Sequence, residues 1–427
     1  MLPAPEQAAA GSLSAPPPLQ LTPEPIDAAS YLFDDTQLRT YNLIVAQADL
    51  NTIDQNPTAE MYVPAGLEFE GKTYGPYRMR YKGSVGAFFP PCTLGDPSLP
   101  TNKLGKCSIK VDFVQGDPQS RFYGLAKLNF HSMGQDPAML RERLSYSLFR
   151  EMGVVAPRAA HARLLINGKL EGLFALVEQI DGRFTSGRFS DGGEGNLYKE
   201  VWPIYDDSEV YVAALETNTK QPHVQRMVEF KAAIDTGATG FASFIDRDYL
   251  LRYLAVDRVI VNDDGIFHFW CYAAAQGNNP GEFGNHNYYW YEAAAANRFW
   301  LIPWDLDMAF EAHSDIVVYP AWTEAAPCVC GHMEYGTQRP ASCDKLVSHF
   351  QSWLDDYDRK VDEFLAGPFQ PSRVTDKLDR WAAQIESAVS ESAFLNAAPS
   401  VSSWKTGVSQ LKQNITSARQ HRGYAYP

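Results

Sequence analysis

In its second half the chain reads RFWLIPWDLDMAF, Arg298 to Phe310. Six of the first seven residues suit a buried strand, and the strand then empties into two carboxylates two residues apart, Asp305 and Asp307. Buried acids are expensive unless something meets their charge. The stretch therefore asks for a core around the strand and a polar site at its end.

The surrounding pattern supplies a mixed architecture. From Leu38 to about Phe130 the chain reads as short strands: YNLIVA, the alternating GPYRMRYKGS, CSIKVDF and GLAKLNF. A helix follows in DPAMLRERLSYSLFREMG, with Asp136 as expected N-cap, Pro137 at the first helical position and Gly153 at the end. HARLLING and KLEGLFALVEQI then form a hairpin through Asn167-Gly168. Further on, a helix is expected to begin near Asp246, and HNYYWYE pairs with RFWLIPW as a second hairpin. From CDKLVSHF onward Leu346, Phe350, Trp353, Phe364, Val374, Leu378, Trp381 and Ile385 fall at helical spacing. No internal repeat is visible.

Composition narrows the function classes. With 427 residues, 45% hydrophobic and 21% charged, the chain reads as globular, and it has no apolar run of transmembrane length. A net charge of −14 argues against nucleic acid as a partner and favours a basic one. The first stretch, MLPAPEQAAAGSLSAPPPLQLTPEPID, is not a signal peptide as it stands. It reads as a Pro/Ala-rich arm, disordered to about Ser30, of the kind that follows an export signal. Cys92 and Cys107 flank a loop that a disulfide would close. Cys328, Cys330, His332 and Cys343 offer either disulfides of an exported protein or zinc ligands, although C-x-C-x-H is not a common zinc spacing.

A strand ending at an acid, preceded by a hairpin and a polar loop, is how protein-kinase-like sites hold magnesium. There a loop supplies the catalytic Asp, an Asn precedes the hairpin and a second Asp follows it. This chain offers Asp264, Asn287 and Asp305 in that order, with Asp263 competing for the role of Asp264. As metal ligands Asp305 and Asn287 lead, and Asp307 is either a further ligand or a helix cap. The plain alternatives are surface acids at a strand end and a turn-forming Asn. Lysines for nucleotide phosphates are Lys82 beside a Gly-containing turn, and Lys110 and Lys127 on expected strands. Glu142 is the candidate helix partner of that lysine, although it falls off the leucine stripe, where a solvated Glu is also expected. Arg141 is either a phosphate contact or structural glue. Glu178 ends the strand where a hinge would meet adenine through backbone groups.

MRYKG, KLNFHSMGQDPAMLRERLSYSLFREMG, ARLLINGKLEGLFALVEQIDGRF, GNLYKEVW, VNDDG, HNYYWYE and IPWDLDMAF together resemble the spore coat protein H (CotH) kinase family, over roughly Tyr41 to Phe310. The resemblance implies an α+β, two-lobed atypical protein-kinase-like fold. A linker over 1–30 would precede a domain over 31–427, with a small β-rich N-lobe at about 38–181 and a larger helical C-lobe at about 182–427. It implies ATP with Mg²⁺ or Mn²⁺, γ-phosphoryl transfer to Ser or Thr of a basic, Ser-rich secreted or surface protein, and a place on a cell or spore surface. Two departures stand out: the insertion IFHFWCYAAAQGNNPGEFG between Asp264 and His286, and NDDG where Asn-x-Asp and a small residue are expected. Other readings are a noncatalytic surface adhesin or invasin of the same fold, transfer of AMP, and a glycoside hydrolase using the paired acids. The last leaves the lysine strands and Asn287 unexplained.

Overall fold

The computed structural model describes residues 19–83, 92–93, 102–115, 117–237, 240–271, 283–293, 296–311, 322–323, 325–333, 336–395 and 398–422, those at 283, 332, 333 and 336 by their backbone alone. The first part runs β1 (Arg39–Ile44), α1 (Gln47–Gln55), β2 (Val63–Phe69), β3 (Lys72–Tyr81), β4 (Ile109–Asp112), β5 (Lys127–His131), α2 (Arg141–Glu151), β6 (Ala159–Ile166) and β7 (Lys169–Glu178). The second part runs α3 (Gly182–Ser186), β8 (Asn196–Lys199), α4 (Ser208–Ala213), α5 (Gln225–Thr236), α6 (Arg247–Val259), β9 (Phe269–Cys271), β10 (Phe283–Gly284), β11 (Tyr288–Ala293) and β12 (Arg298–Pro303). It ends with β13 (Gly331–Met333), β14 (Gly336–Arg339), α7 (Lys345–Phe350), α8 (Leu354–Ala366), α9 (Pro371–Ser392) and α10 (Val401–Gln420).

The mixed α+β character agrees with the sequence pattern, but the first seven strands close into a barrel, in the order β1-β2-β3-β4-β5-β7-β6. Closure comes from a parallel pairing of β1 with β6, Arg39 opposite Ala162 through Leu43 opposite Ile166. Closing the sheet removes its exposed edges. Alternating residues such as Tyr41, Leu67, Met79, Ile109, Leu128, Leu164 and Phe174 fill the barrel as one core. A second core gathers the helices and the β8-β11-β12 sheet. Strand β7 serves both: Phe174 and Leu176 face the barrel, while Leu173, Ala175 and Val177 face the second core. That double burial explains why β7 reads as a continuous apolar run.

Asn167 and Gly168 make the β6–β7 turn with φ of 51° and 76°, as the dipeptide requires. Asp246 caps α6 by accepting from the Tyr249 N–H at 3.0 Å. The expected start of α2 at Pro137 is corrected. The Asp136 carboxylate accepts from the N–H groups of Ala138 and Arg141, at 2.9 and 2.7 Å, and Met139 turns to φ 57°. The cap thus spans an extra turn, and helical bonding begins at Arg141.

The disorder expected to Ser30 is corrected for residues 19–30, while 1–18 lie outside the described residues. Leu21 bridges Phe189, the Thr22 N–H donates to the Arg188 carbonyl at 2.9 Å, and Ala29 is buried. Asp27 pairs with Arg158 at 2.8 Å and also with Arg183. The buried guanidinium of Arg158 needs carboxylates, and the arm supplies one. All six cysteines are in disulfides, Cys92–Cys107, Cys271–Cys330 and Cys328–Cys343, which overturns the zinc alternative: no thiolate is left to ligate a metal. Among the described residues no helix is long and apolar enough to cross a membrane.

Candidate functional site

The β11–β12 hairpin aligns the first two polar residues. Tyr288 pairs with Pro303, and the Trp304 N–H donates to the Asn287 carbonyl at 3.0 Å. Asn287, just before β11, and Asp305, just after β12, therefore emerge at one end of the same hairpin. Both leave it in the left-handed region, with φ of 64° and 49°, which Asn and Asp tolerate better than other side chains. The Asp305 N–H donates to the Tyr146 hydroxyl at 3.0 Å, so the strand end is registered onto α2.

Helix α2 contributes Glu142 one turn before Tyr146. Glu142 is buried, 1% exposed, which removes the solvated reading. Its partner is His131, the last residue of β5: the ring Nδ1 lies 2.9 Å from Glu142 Oε1, and the other ring nitrogen lies 2.8 Å from Lys82 Nζ. Burial pushes the His131 imidazole down to about 3, so it is neutral at ordinary pH. With Glu142 ionised and Lys82 protonated, the neutral ring carries its proton on Nδ1 and accepts from Lys82 at Nε2. One oxygen or nitrogen from each of His131, Glu142 and Asp305 falls within 4.8 Å of the others. Lys82 is thereby singled out among the lysine candidates.

Lys110 and Lys127 lie on the neighbouring strands, in the register Arg80–Lys110–Asn129 and Asp112–Lys127. Burial, then the charges of Lys82, Arg80 and Lys127, push the Lys110 amine down to about 7. The three lysines thus feel one another across a basic face. The opposite charge gathers below. Burial, then Asp305, raise Glu142 and Asp307 well above the carboxylate range. Burial is the main cause, and the crowding of these carboxyl groups around Asp305 adds to it. Oxygen donors from Asp305, Glu142 and Asn287 fit a divalent cation such as Mg²⁺ or Mn²⁺.

Asp264 sits in the turn after α6. The Asn287 amide donates to its Oδ2 at 2.8 Å, and the Trp270 indole donates to its Oδ1 at 2.7 Å. Burial pushes its carboxyl up to about 7, eased by Trp270 and reinforced by Asp305. The turn is strained: Val261, a β-branched residue, holds φ 50°. Gly265 is required there, because a Cβ would stand 2.4 Å from Asn262 Nδ2. Asp263 is buried and points elsewhere, 3.8 Å from His268 Nδ1.

The remaining candidates lie outside this convergence. Arg141 bonds the carbonyls of Gln135 and Asp307 and pairs with Asp136 and Glu311 at 3.8 Å each, an arrangement that fixes the Asp307 backbone. Glu178 is fully buried and gives its carboxylate to Arg158, Arg183 and Arg188 at 2.5–2.8 Å. Its N–H is also occupied, by the Arg158 carbonyl at 3.0 Å.

Several residues at the site escaped the sequence reading. Tyr146 had a signal, since it stands four residues after Glu142 on the same helix face. Lys199 and Glu200 lie in GNLYKEVW, a stretch without an assigned role, yet Glu200 Oε1 accepts from the Asn287 N–H at 3.3 Å. His131 and Trp270 had none: Lys82 lies 49 residues before His131, and Trp270 meets Asp264 only through the way the intervening turn folds back.

A family model described as CotH kinase protein matches residues 79–422. The chain is also similar to the inner spore coat protein H of Bacillus subtilis (strain 168), at 24% identity over 301 residues, 64% of this chain and 69% of that protein. An inner spore coat protein H-like protein of the same organism is 27% identical over 103 residues, 24% of this chain and 32% of that protein. With most of its length matched by one family, and with α2, the β11–β12 hairpin and the later barrel strands inside the match, the chain belongs to the CotH kinase protein family.

Proposed function

We propose that this chain is an ATP- and divalent-metal-dependent protein kinase that transfers the γ-phosphoryl group to Ser or Thr of a secreted or surface protein. One observation carries the reading: Lys82, held to Glu142 through His131, converges on Asp305, while Asn287 ties the same hairpin end to Asp264. In a two-lobed kinase-like arrangement the barrel face bearing Lys82, Lys110 and Lys127 contacts the triphosphate. Asp305 and Asn287, with Asp307 beside them, hold Mg²⁺ or Mn²⁺, which neutralises phosphate charge when bound.

Asp264 orients the acceptor hydroxyl. The hydroxyl oxygen forms a bond to the γ-phosphorus, the bond to the β–γ bridging oxygen breaks, ADP leaves, and the acceptor proton passes to Asp264. Asp263, turned toward His268, supports the loop. The chain's own contribution is positioning and fixed charge. Three disulfides suit an oxidising compartment, and a spore-coat relative suits a surface location. The net charge of −14 suits a basic, Ser-rich protein substrate and not nucleic acid.

Intact-mass analysis after incubation with ATP and Mn²⁺ tests the reading. The expected result is a gain of phosphate on the chain or on a Ser peptide. A gain of AMP would replace kinase with nucleotide transfer, and no gain with any acceptor would leave a noncatalytic adhesin.

A further inference from the structure

The insertion after Asp264 contributes β9 and β10, which join β14 and β13 in a small sheet, β10-β9-β14-β13. Trp270 is the middle residue of β9, opposite Gly284 on one side and Gln338 on the other. Its indole remains half-buried, and its N–H meets Asp264 Oδ1 at 2.7 Å. The other oxygen is held by Asn287 at 2.8 Å. Two donors on the two oxygens fix the carboxylate plane, and each oxygen keeps capacity for one more hydrogen bond. The next residue, Cys271, is bonded to Cys330 at the head of β13, and Cys328 is bonded to Cys343 just before α7. The strand that carries the indole is thus stapled to the far side of its sheet and, through that, to the helical core.

We propose that Trp270 is a positioning residue for Asp264, and that the Cys271–Cys330 disulfide fixes the strand that presents its indole. The insertion is then part of the catalytic support and not a passive loop. This rests on Asp264 being the acid that orients the acceptor hydroxyl. A carboxylate held at one oxygen alone can rotate, and small misplacements of a reacting group carry large rate costs.

The test uses the full chain with ATP, Mn²⁺ and a Lys-flanked Ser peptide. Trp270→Phe keeps an aromatic ring and removes the donor. The expected result is a rate at saturating ATP lower by about 10- to 100-fold, with the half-saturating ATP concentration and the thermal midpoint unchanged. In an Asp264→Asn background the same change should have no further effect, because the two residues act as one unit. Cys271→Ser with Cys330→Ser should lower the rate in the same way, and adding Trp270→Phe to it should cost little more. A parental rate in Trp270→Phe, or an equal loss in the Asp264→Asn background, overturns the inference. If Asp264→Asn itself retains the parental rate, the assignment of Asp264 fails, and this inference with it. Loss in Asp264→Asn with a normal Trp270→Phe overturns the role of Trp270 alone.

Discussion

Lys82 reaches Glu142 through His131 and not directly: its Nζ stands 2.8 Å from the imidazole Nε2. A neutral ring between an ammonium and a carboxylate keeps both charges aligned while holding them a ring's width apart. Asp305 lies against the same group, so the lysine faces a carboxylate on each side.

His131→Ala should remove that link. Lys82 would lose its acceptor and Glu142 its donor, and charge-assisted bonds of this kind are worth about 1.5–3 kcal/mol. The expected result is nucleotide affinity weaker by about tenfold or more, read by calorimetry with ATP and Mn²⁺. Because burial holds the ring at about 3, parental binding should show no histidine inflection between about pH 5 and 8. An inflection near pH 6 that vanishes in His131→Ala would contradict the neutral relay.

Asp305→Asn is the cleanest probe of the metal site, since Asn tolerates the φ of 49°. It should weaken metal-dependent nucleotide binding by about 10- to 100-fold or more. The fold should persist, and without metal it should melt higher, because one of several crowded carboxylates has gone. Unchanged nucleotide and metal affinity would remove Asp305 from the metal site.

Asp264→Asn should retain nucleotide binding and lose transfer by about 10²- to 10⁴-fold. Parental transfer should rise with pH through about 7 as the carboxylate ionises. Its pKa is raised on folding, so the folded state binds the extra proton between the unfolded value near 4 and about 7, and stability falls as pH rises through that window. The Asn variant lacks this loss. It should therefore melt above the parent at pH 8 without metal, and its advantage should vanish toward pH 4. Full transfer in Asp264→Asn with loss in Asp263→Asn would move the role one residue back.

Glu178→Ala should act on stability. Burial alone would raise this carboxyl, but Arg188, Arg158 and Arg183 hold it down to about 2. Removing it leaves three guanidinium groups without their shared partner, at a cost of about 3–5 kcal/mol. In the parent, the contribution of Glu178 is present above its unfolded pKa and is lost as pH falls toward 2. Denaturant melts of both proteins at pH 7 and pH 3 should show their difference shrinking at the lower pH. An undiminished melt with weakened ATP binding would instead give Glu178 a nucleotide role.

A net charge of −14 should show in acceptor choice. Ser peptides flanked by Lys or Arg should be phosphorylated faster than those flanked by Asp or Glu. The preference should shrink with NaCl, as exposed charges are screened over about 8 Å at physiological ionic strength. Equal rates at low salt would show that the acids lie away from the acceptor groove.

Local chemistry made much of this protein legible in its sequence. Asn167-Gly168 can turn only one way between two strands, Asp246 caps the helix that follows it, and Leu378, Trp381 and Ile385 bury one face of α9. The chain order Asp264, Asn287, Asp305 was likewise readable, because the hairpin that joins the last two is local. Long-range closure decided the rest. The parallel pairing of β1 with β6 makes a barrel of what reads only as successive strands. Lys82 was separated from Lys110 and Lys127 by a histidine at the end of another strand, and Glu142 went inward to that histidine although its helical position lies off the leucine stripe. Glu178 became the centre of a cluster with Arg158, Arg183 and Arg188, and that cluster also draws in Asp27 of the N-terminal arm. Such contacts join residues far apart along the chain. They form only once the tertiary fold has offset the entropy of closing the loops between them, and that is why periodicity and spacing could not foretell them.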